Sequence, residues 1–209
     1  MNRIVYLHGF ASTPLSTKAQ FFKARFDGHP FEIPQLDGGE FEKLTVTGQL
    51  QIVDQAVHGD PVIMMGSSLG GYLAALYAAR HANVEHMVLL APALEFPSRW
   101  RHRFTDAEMN EWQRSGVRNF YHYGYKQDRA LGYQFVEDAL KYEDAPEFPQ
   151  PALIFHGLRD DVVPPEVSRR FAARCPNVQL QLVNSGHELT DVLDWLWKRT
   201  ARFLEYQKQ

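Results

Sequence analysis

Pro61-Val62-Ile63-Met64-Met65-Gly66-Ser67-Ser68-Leu69-Gly70, followed by Gly71-Tyr72-Leu73-Ala74-Ala75-Leu76-Tyr77-Ala78-Ala79, reads as a buried strand, a tight turn and a helix. The apolar run is too short and too continuous for a one-faced element, so it suits a strand covered on both sides. Gly66-Ser67-Ser68-Leu69-Gly70 is a G-x-S-x-G turn. Side chains at its two flanking positions would strike the neighbouring strand or helix, and glycine removes them. Such a turn lifts Ser68 above the sheet edge as a candidate nucleophile. It also sets the backbone N–H of Leu69 where an oxyanion would form.

Outward from this turn, short apolar runs at residues 4–7, 87–90 and 152–155 also read as buried strands. Residues 178–183 alternate, as an edge strand with one wet face does. A weaker edge strand is expected over 31–36, where Pro34 bars a central place. Helices are expected over 16–26, 44–57, 72–81, 165–174 and 189–204. This alternation predicts an α/β fold in one domain, a mainly parallel sheet of six strands with helices on both faces.

The stretch from about 94 to 150 breaks the alternation and is expected to form a small helical cap. It holds the basic run Arg99-Trp100-Arg101-His102-Arg103 and a helix opened by Thr105 with Glu108 and closed near Gly116. Then come Phe120-Tyr121-His122-Tyr123-Gly124-Tyr125 and a second helix over about 129–142.

A serine hydroxyl needs a histidine base, and the histidine needs an acid to hold its tautomer. On an elbow fold these follow the serine in the order acid, then histidine, each after a strand. After 152–155 comes His156-Gly157-Leu158-Arg159-Asp160-Asp161, and after 178–183 comes Asn184-Ser185-Gly186-His187. His187 is therefore the candidate base and Asp160 the candidate acid, with Asp161 and Glu95 as alternatives. The first expected strand ends in His8-Gly9-Phe10, so the Phe10 N–H is the candidate second oxyanion donor and His8 a brace for that loop. Trp100, Phe104, Trp112 and Tyr121, with Phe120, are candidates to line an acyl pocket. Their other reading is to pack the cap onto the core.

These four segments, in this order, resemble the α/β-hydrolase superfamily over nearly the whole chain. His8-Gly9-Phe10-Ala11-Ser12-Thr13-Pro14 with Lys18 resembles the small bacterial YqiA-like serine esterases. The longer cap, with Tyr123-Gly124-Tyr125 and Glu137-Asp138, is similar to acylglucuronide esterases and dipeptidase-like hydrolases. The resemblance implies hydrolysis of small-molecule esters or thioesters, with no cofactor and no metal. An amide or peptide hydrolase and a non-catalytic binding module are the competing expectations.

Bulk properties narrow the classes. The chain has 209 residues, enough for one substantial core. A net charge of −3 carries no basic excess for nucleic acid. No apolar run approaches the ~20 residues of a membrane span. Cys175 is the single cysteine, so no intrachain disulfide forms, and a cytoplasmic protein is expected.

Overall fold

A computed structural model describes residues 3–206. The strands are β1 (Arg3–Leu7), β2 (Phe31–Glu32), β3 (Val62–Ser67), β4 (Val84–Leu90), β5 (Val117–His122), β6 (Gln127–Gly132), β7 (Ala152–Gly157) and β8 (Val178–Val183). Six of them form one sheet in the order β2-β1-β3-β4-β7-β8. Every pairing in it is parallel.

Helices α1 (Thr17–Arg25), α2 (Val46–Val57), α3 (Leu69–Ala78), α4 (Phe96–His102), α5 (Asp106–Ser115), α6 (Gln134–Ala139), α7 (Pro165–Arg174) and α8 (Leu193–Tyr206) complete the chain. Alternate strand residues divide the core between the two faces of the sheet. Ile4, Tyr6, Ile63, Met65, Val88, Leu90, Leu153 and Phe155 pack with Phe22 of α1 and with Leu196 and Phe203 of α8. Val5, Leu7, Val62, Met64, Met87, Leu89, Ala152 and Ile154 pack with Val53 of α2, Leu73 of α3 and Phe171 of α7. Both faces are dry, which is why the central strands read as unbroken apolar runs.

The strand order reverses at β1. The chain steps outward to β2, then crosses back to β3 on the other side of β1. In parallel sheets such a switch opens a crevice at the carboxyl ends of the strands, where ligands bind. The turns carrying His8 and Ser68 leave β1 and β3 at that point.

The expected edge positions of the 31–36 and 178–183 strands agree with this order, although only Phe31–Glu32 of the first is strand and Pro34 lies beyond it. Thr105 and Glu108 form a reciprocal capping box at the start of α5, and Gly116 ends it in the left-handed region at φ 78°. Two expectations need correction. The helix expected over 129–142 begins as strand: Gln127–Gly132 pairs antiparallel with Val117–His122, and only Gln134–Ala139 is helical. The inserted segment is therefore a mixture of helices and a hairpin. Also, Leu189 precedes the last helix, with φ 55° and a single 3-10 turn at Thr190–Val192 between them. Among the described residues no helix is long and apolar enough to cross a membrane.

Candidate active site

Ser68 sits between β3 and α3 with φ 53° and ψ −120°, a conformation costly for a residue with a side chain. The surroundings hold it there. Its N–H donates to the Leu90 carbonyl at 3.0 Å, and its carbonyl accepts from Gly71, Tyr72 and Ala93 N–H groups at 2.9, 3.2 and 3.0 Å. A β-carbon on Gly66 would lie 2.4 Å from the Gly70 carbonyl oxygen, and one on Gly70 would lie 2.1 Å from the Leu7 oxygen. Gly71 is equally constrained, since its β-carbon would come within 2.8 Å of Pro92. Strain gathers at this edge of the sheet. Ala11, Ser68, Ala91, Glu95 and Leu189, all on loops after parallel strands, have positive φ, against only His58 and Lys126 among other non-glycine residues described.

His187 arrives on the loop after β8. Its Nε2 lies 3.0 Å from Ser68 Oγ and its Nδ1 lies 2.7 Å from Asp160 Oδ2. A carboxylate only accepts, so Nδ1 carries the proton and Nε2 presents its lone pair to the serine hydroxyl. Asp160 is buried on the loop after β7. Its Oδ1 accepts from the N–H groups of Val162 and Val163 at 2.9 and 2.8 Å. Burial alone would raise its pKa. Hydrogen bonds from His156, His187 and Val163 outweigh burial and hold the carboxyl well below the usual carboxylate range.

The alternatives lie elsewhere. Asp161 is exposed. Glu95 faces the Arg170 guanidinium, with both carboxylate oxygens 2.8 Å from Nη2.

The loop after β1 is braced as the sequence suggested. Burial lowers the His8 pKa, and the ring is neutral. Its Nδ1–H donates to the Gly9 carbonyl at 3.0 Å, and its Nε2 accepts from the Leu36 N–H at 3.3 Å. A β-carbon on Gly9 would touch the Ser68 β-carbon at 3.5 Å, which places this loop directly against the elbow. Leu69 is the first residue of α3. First-turn N–H groups have no partner inside their helix, so the Leu69 N–H is left without an intrahelical acceptor next to Ser68.

The Phe10 ring is held in an aromatic cluster from the inserted segment. Trp100, Phe120 and Phe135 lie 5.0, 5.6 and 5.8 Å from its centroid, and Phe41 lies at 5.4 Å. The hairpin tip also seats on this loop, where the Tyr123 N–H donates to the Ala11 carbonyl at 2.8 Å. Of the residues expected to line a pocket, Trp100 thus packs on Phe10. Phe104 is half-buried between Trp100, Trp112 and Phe120. Trp112 is fully buried, with Nε1 donating to the Leu131 carbonyl at 3.0 Å. Tyr121 is half-exposed on the outer side of β5, against Tyr123. Two surface hollows, one at Arg3, Phe31 and Ile33 and one at Gln179, Arg199 and Phe203, include none of Ser68, Asp160 or His187.

Two polar groups that the sequence reading quoted only as motif residues, with no role assigned, stand at this site. His156, the penultimate residue of β7, is fully buried with Nε2 3.1 Å from Asp160 Oδ2. Lys18 is buried in α1, and its ammonium donates to the Glu188 carbonyl at 2.8 Å, tying that helix to the loop bearing His187. Burial lowers the Lys18 pKa, and Glu188 partly offsets that. A lysine on the same helix face as Ala19 and Phe22 was the available signal.

A parallel six-stranded sheet with a serine elbow, an acid loop and a histidine loop in that chain order defines an α/β-hydrolase fold. Within it, the chain belongs to the uncharacterised protein family UPF0227, which it matches over residues 3–204. Among similar solved structures is alpha/beta hydrolase domain-containing protein 10 from mouse, 21% identical, with 98% of this chain and 90% of that chain covered at a TM-score of 0.82. Another is Est1E from Butyrivibrio proteoclasticus with ferulic acid bound, 19% identical over 99% and 89%, with a TM-score of 0.82. A third is the Paleococcus ferrophilus monoacylglycerol lipase, 16% identical over 93% of each chain, with a TM-score of 0.69. At these identities the likeness is one of fold. No curated protein matches the chain in sequence.

Proposed function

We propose that the chain is a serine hydrolase that cleaves carboxylic esters of small molecules through an acyl-enzyme. The observation that carries this reading is the unbroken hydrogen-bond chain from Ser68 Oγ through His187 to Asp160 Oδ2. Ser68 Oγ attacks the acyl carbonyl carbon while His187 Nε2 takes its proton. Asp160 holds the imidazole in the tautomer that leaves Nε2 free, and it stabilises the imidazolium that forms. The N–H groups of Phe10 and Leu69 receive the developing oxyanion. Nε2 then protonates the departing alkoxide, and a water molecule repeats the sequence to release the acid.

Residues 94–150 act as the cap in this reading. Their aromatic cluster grips Phe10, so the cap fixes one oxyanion donor. Two neighbours bear names that support a carboxyl-ester substrate, a monoacylglycerol lipase and an Est1E holding ferulic acid. The test is a kinetic panel of acyl esters, thioesters and amides on wild type and on Ser68→Ala. Ester turnover that vanishes in Ser68→Ala supports the proposal. Turnover unchanged in Ser68→Ala, or none on any substrate, overturns it.

A further inference from the structure

We propose that His156 is a positioning residue for Asp160, a second histidine whose Nε2–H, hydrogen-bonded to the Val163 carbonyl, also faces the carboxylate oxygen that receives His187. This rests on the serine-hydrolase reading above.

The protonation of His156 follows from its partners. Nε2 lies 2.8 Å from the Val163 carbonyl oxygen and 3.1 Å from Asp160 Oδ2. Both are acceptors without a proton to give, so Nε2 carries one. Nδ1 lies 2.7 Å from the hydroxyl of Ser168, a buried residue of α7. The hydroxyl donates to Nδ1, and the ring is pinned from both sides with no exposure to water.

A core histidine with both nitrogens satisfied is ordinarily structural. Here the Val163 carbonyl alone would satisfy Nε2, yet the ring also reaches the working carboxylate. The result is a ring of N–H groups around Asp160. Val162 and Val163 donate to Oδ1, His187 Nδ1 donates to Oδ2, and His156 Nε2 lies 3.1 Å from that same oxygen. This fixes the rotation of the carboxylate and leaves His187 Nδ1–H as the one donor free to swing with the imidazole. The other charged groups near Asp160 are the Lys18 ammonium from α1, the exposed Asp161 and Arg159 on its own loop, and Glu188 beside His187. None of them hydrogen-bonds to the Asp160 carboxylate.

Removing the His156 donor has a signed consequence. Oδ2 keeps more of its negative charge for His187, so the imidazolium form gains stability. The acid limb of the kcat/KM profile then moves to higher pH. The carboxylate also gains freedom to rotate, and misplacement of that order lowers kcat by about tenfold to a hundredfold, with KM little changed.

Two experiments test this. The first uses nitrogen-15 NMR of the wild-type protein to read the protonation of the His156 ring. A protonated Nε2 is expected. A bare Nε2 with the proton on Nδ1 overturns the proposal, since such a ring cannot donate to Asp160. The second compares His156→Leu with His156→Gln, whose amide N–H replaces the lost donor. His156→Leu is expected to show the lower kcat and the displaced acid limb, and His156→Gln to recover most of both. A folded His156→Leu with wild-type kcat and acid limb overturns the proposal, and so does a loss that His156→Gln does not relieve. If His156→Leu does not fold, His156→Met, which matches Gln in length but has no N–H, takes its place. An inactive wild type would instead contradict the hydrolase reading, and the NMR outcome stands apart from it.

Discussion

Gly70→Ala puts a single methyl group where the elbow has no room. The added carbon would lie 2.1 Å from the Leu7 oxygen and 2.5 Å from the His8 oxygen. Both are backbone atoms, and Leu7 belongs to a strand with partners on either side. No side chain can rotate away to relieve the contact. Ordinary van der Waals separation requires a displacement of about 1 Å, and overpacking of this kind costs ~1–3 kcal/mol. For a chain of this size that is a fall in Tm of roughly 2–12 °C. The displacement falls between Ser68 and the loop bearing Phe10, so the two proposed oxyanion donors move apart. A misplacement of ~1 Å costs on the order of 10²-fold in rate. The assay is ester hydrolysis with a thermal melt on the same preparation. Gly186→Ala is the control. It lies next to His187, but its β-carbon meets nothing closer than the Arg159 oxygen at 4.0 Å. Wild-type rate and Tm in Gly70→Ala, or equal damage in both variants, would refute the reasoning.

Other expected outcomes follow from the same geometry. Asp160→Asn should lower kcat by about 10⁴-fold through the wrong histidine tautomer, while Asp161→Asn stays within about twofold; steady-state kinetics on the pair distinguishes the acids. The folded-state pKa of Asp160 is depressed, so the stability it contributes is present above the ordinary carboxylate range and is lost as pH falls through its lowered value. Acid unfolding followed by circular dichroism should therefore be less steep in Asp160→Asn than in wild type. Trp112→Ala removes a fully buried indole and its hydrogen bond to Leu131, at a cost of about 3–5 kcal/mol. Its Tm should fall by roughly 6–20 °C, and a Tm within a degree of wild type would show that Trp112 does not anchor the inserted segment.

The parallel sheet was legible because its central strands are buried on both faces and their apolar runs are short and unbroken. The elbow was legible because Gly66 and Gly70 are demanded by contacts with backbone, which no other residue satisfies. His187 followed from chain order, and so did the loop carrying Asp160 and Asp161, but only the structure separates the two acids, with Asp160 against His187 and Asp161 exposed. The hairpin of β5 and β6 was not legible. Gln127-Asp128-Arg129-Ala130-Leu131-Gly132 contains good helix formers, and its strand state comes from pairing with Val117–His122. Its turn gives no glycine signal at the strained position, which Lys126 occupies at φ 55°. The roles of Trp100 and Trp112 were equally hidden. A tryptophan facing a pocket and one facing a core look alike until their neighbours are placed, Phe10 against Trp100 and Phe120 against Trp112. His156 reads from sequence as the first residue after the 152–155 strand, and only the fold of the Asp160 loop brings the carboxylate back to it.

The central claim is that Ser68 is a nucleophile activated by His187. Its most direct test is labelling of the folded protein with a fluorophosphonate, followed by peptide mapping. The account predicts one covalent adduct, on Ser68, formed in wild type and absent in His187→Ala. No adduct on folded wild type, or an adduct on another serine with Ser68 untouched, would contradict it.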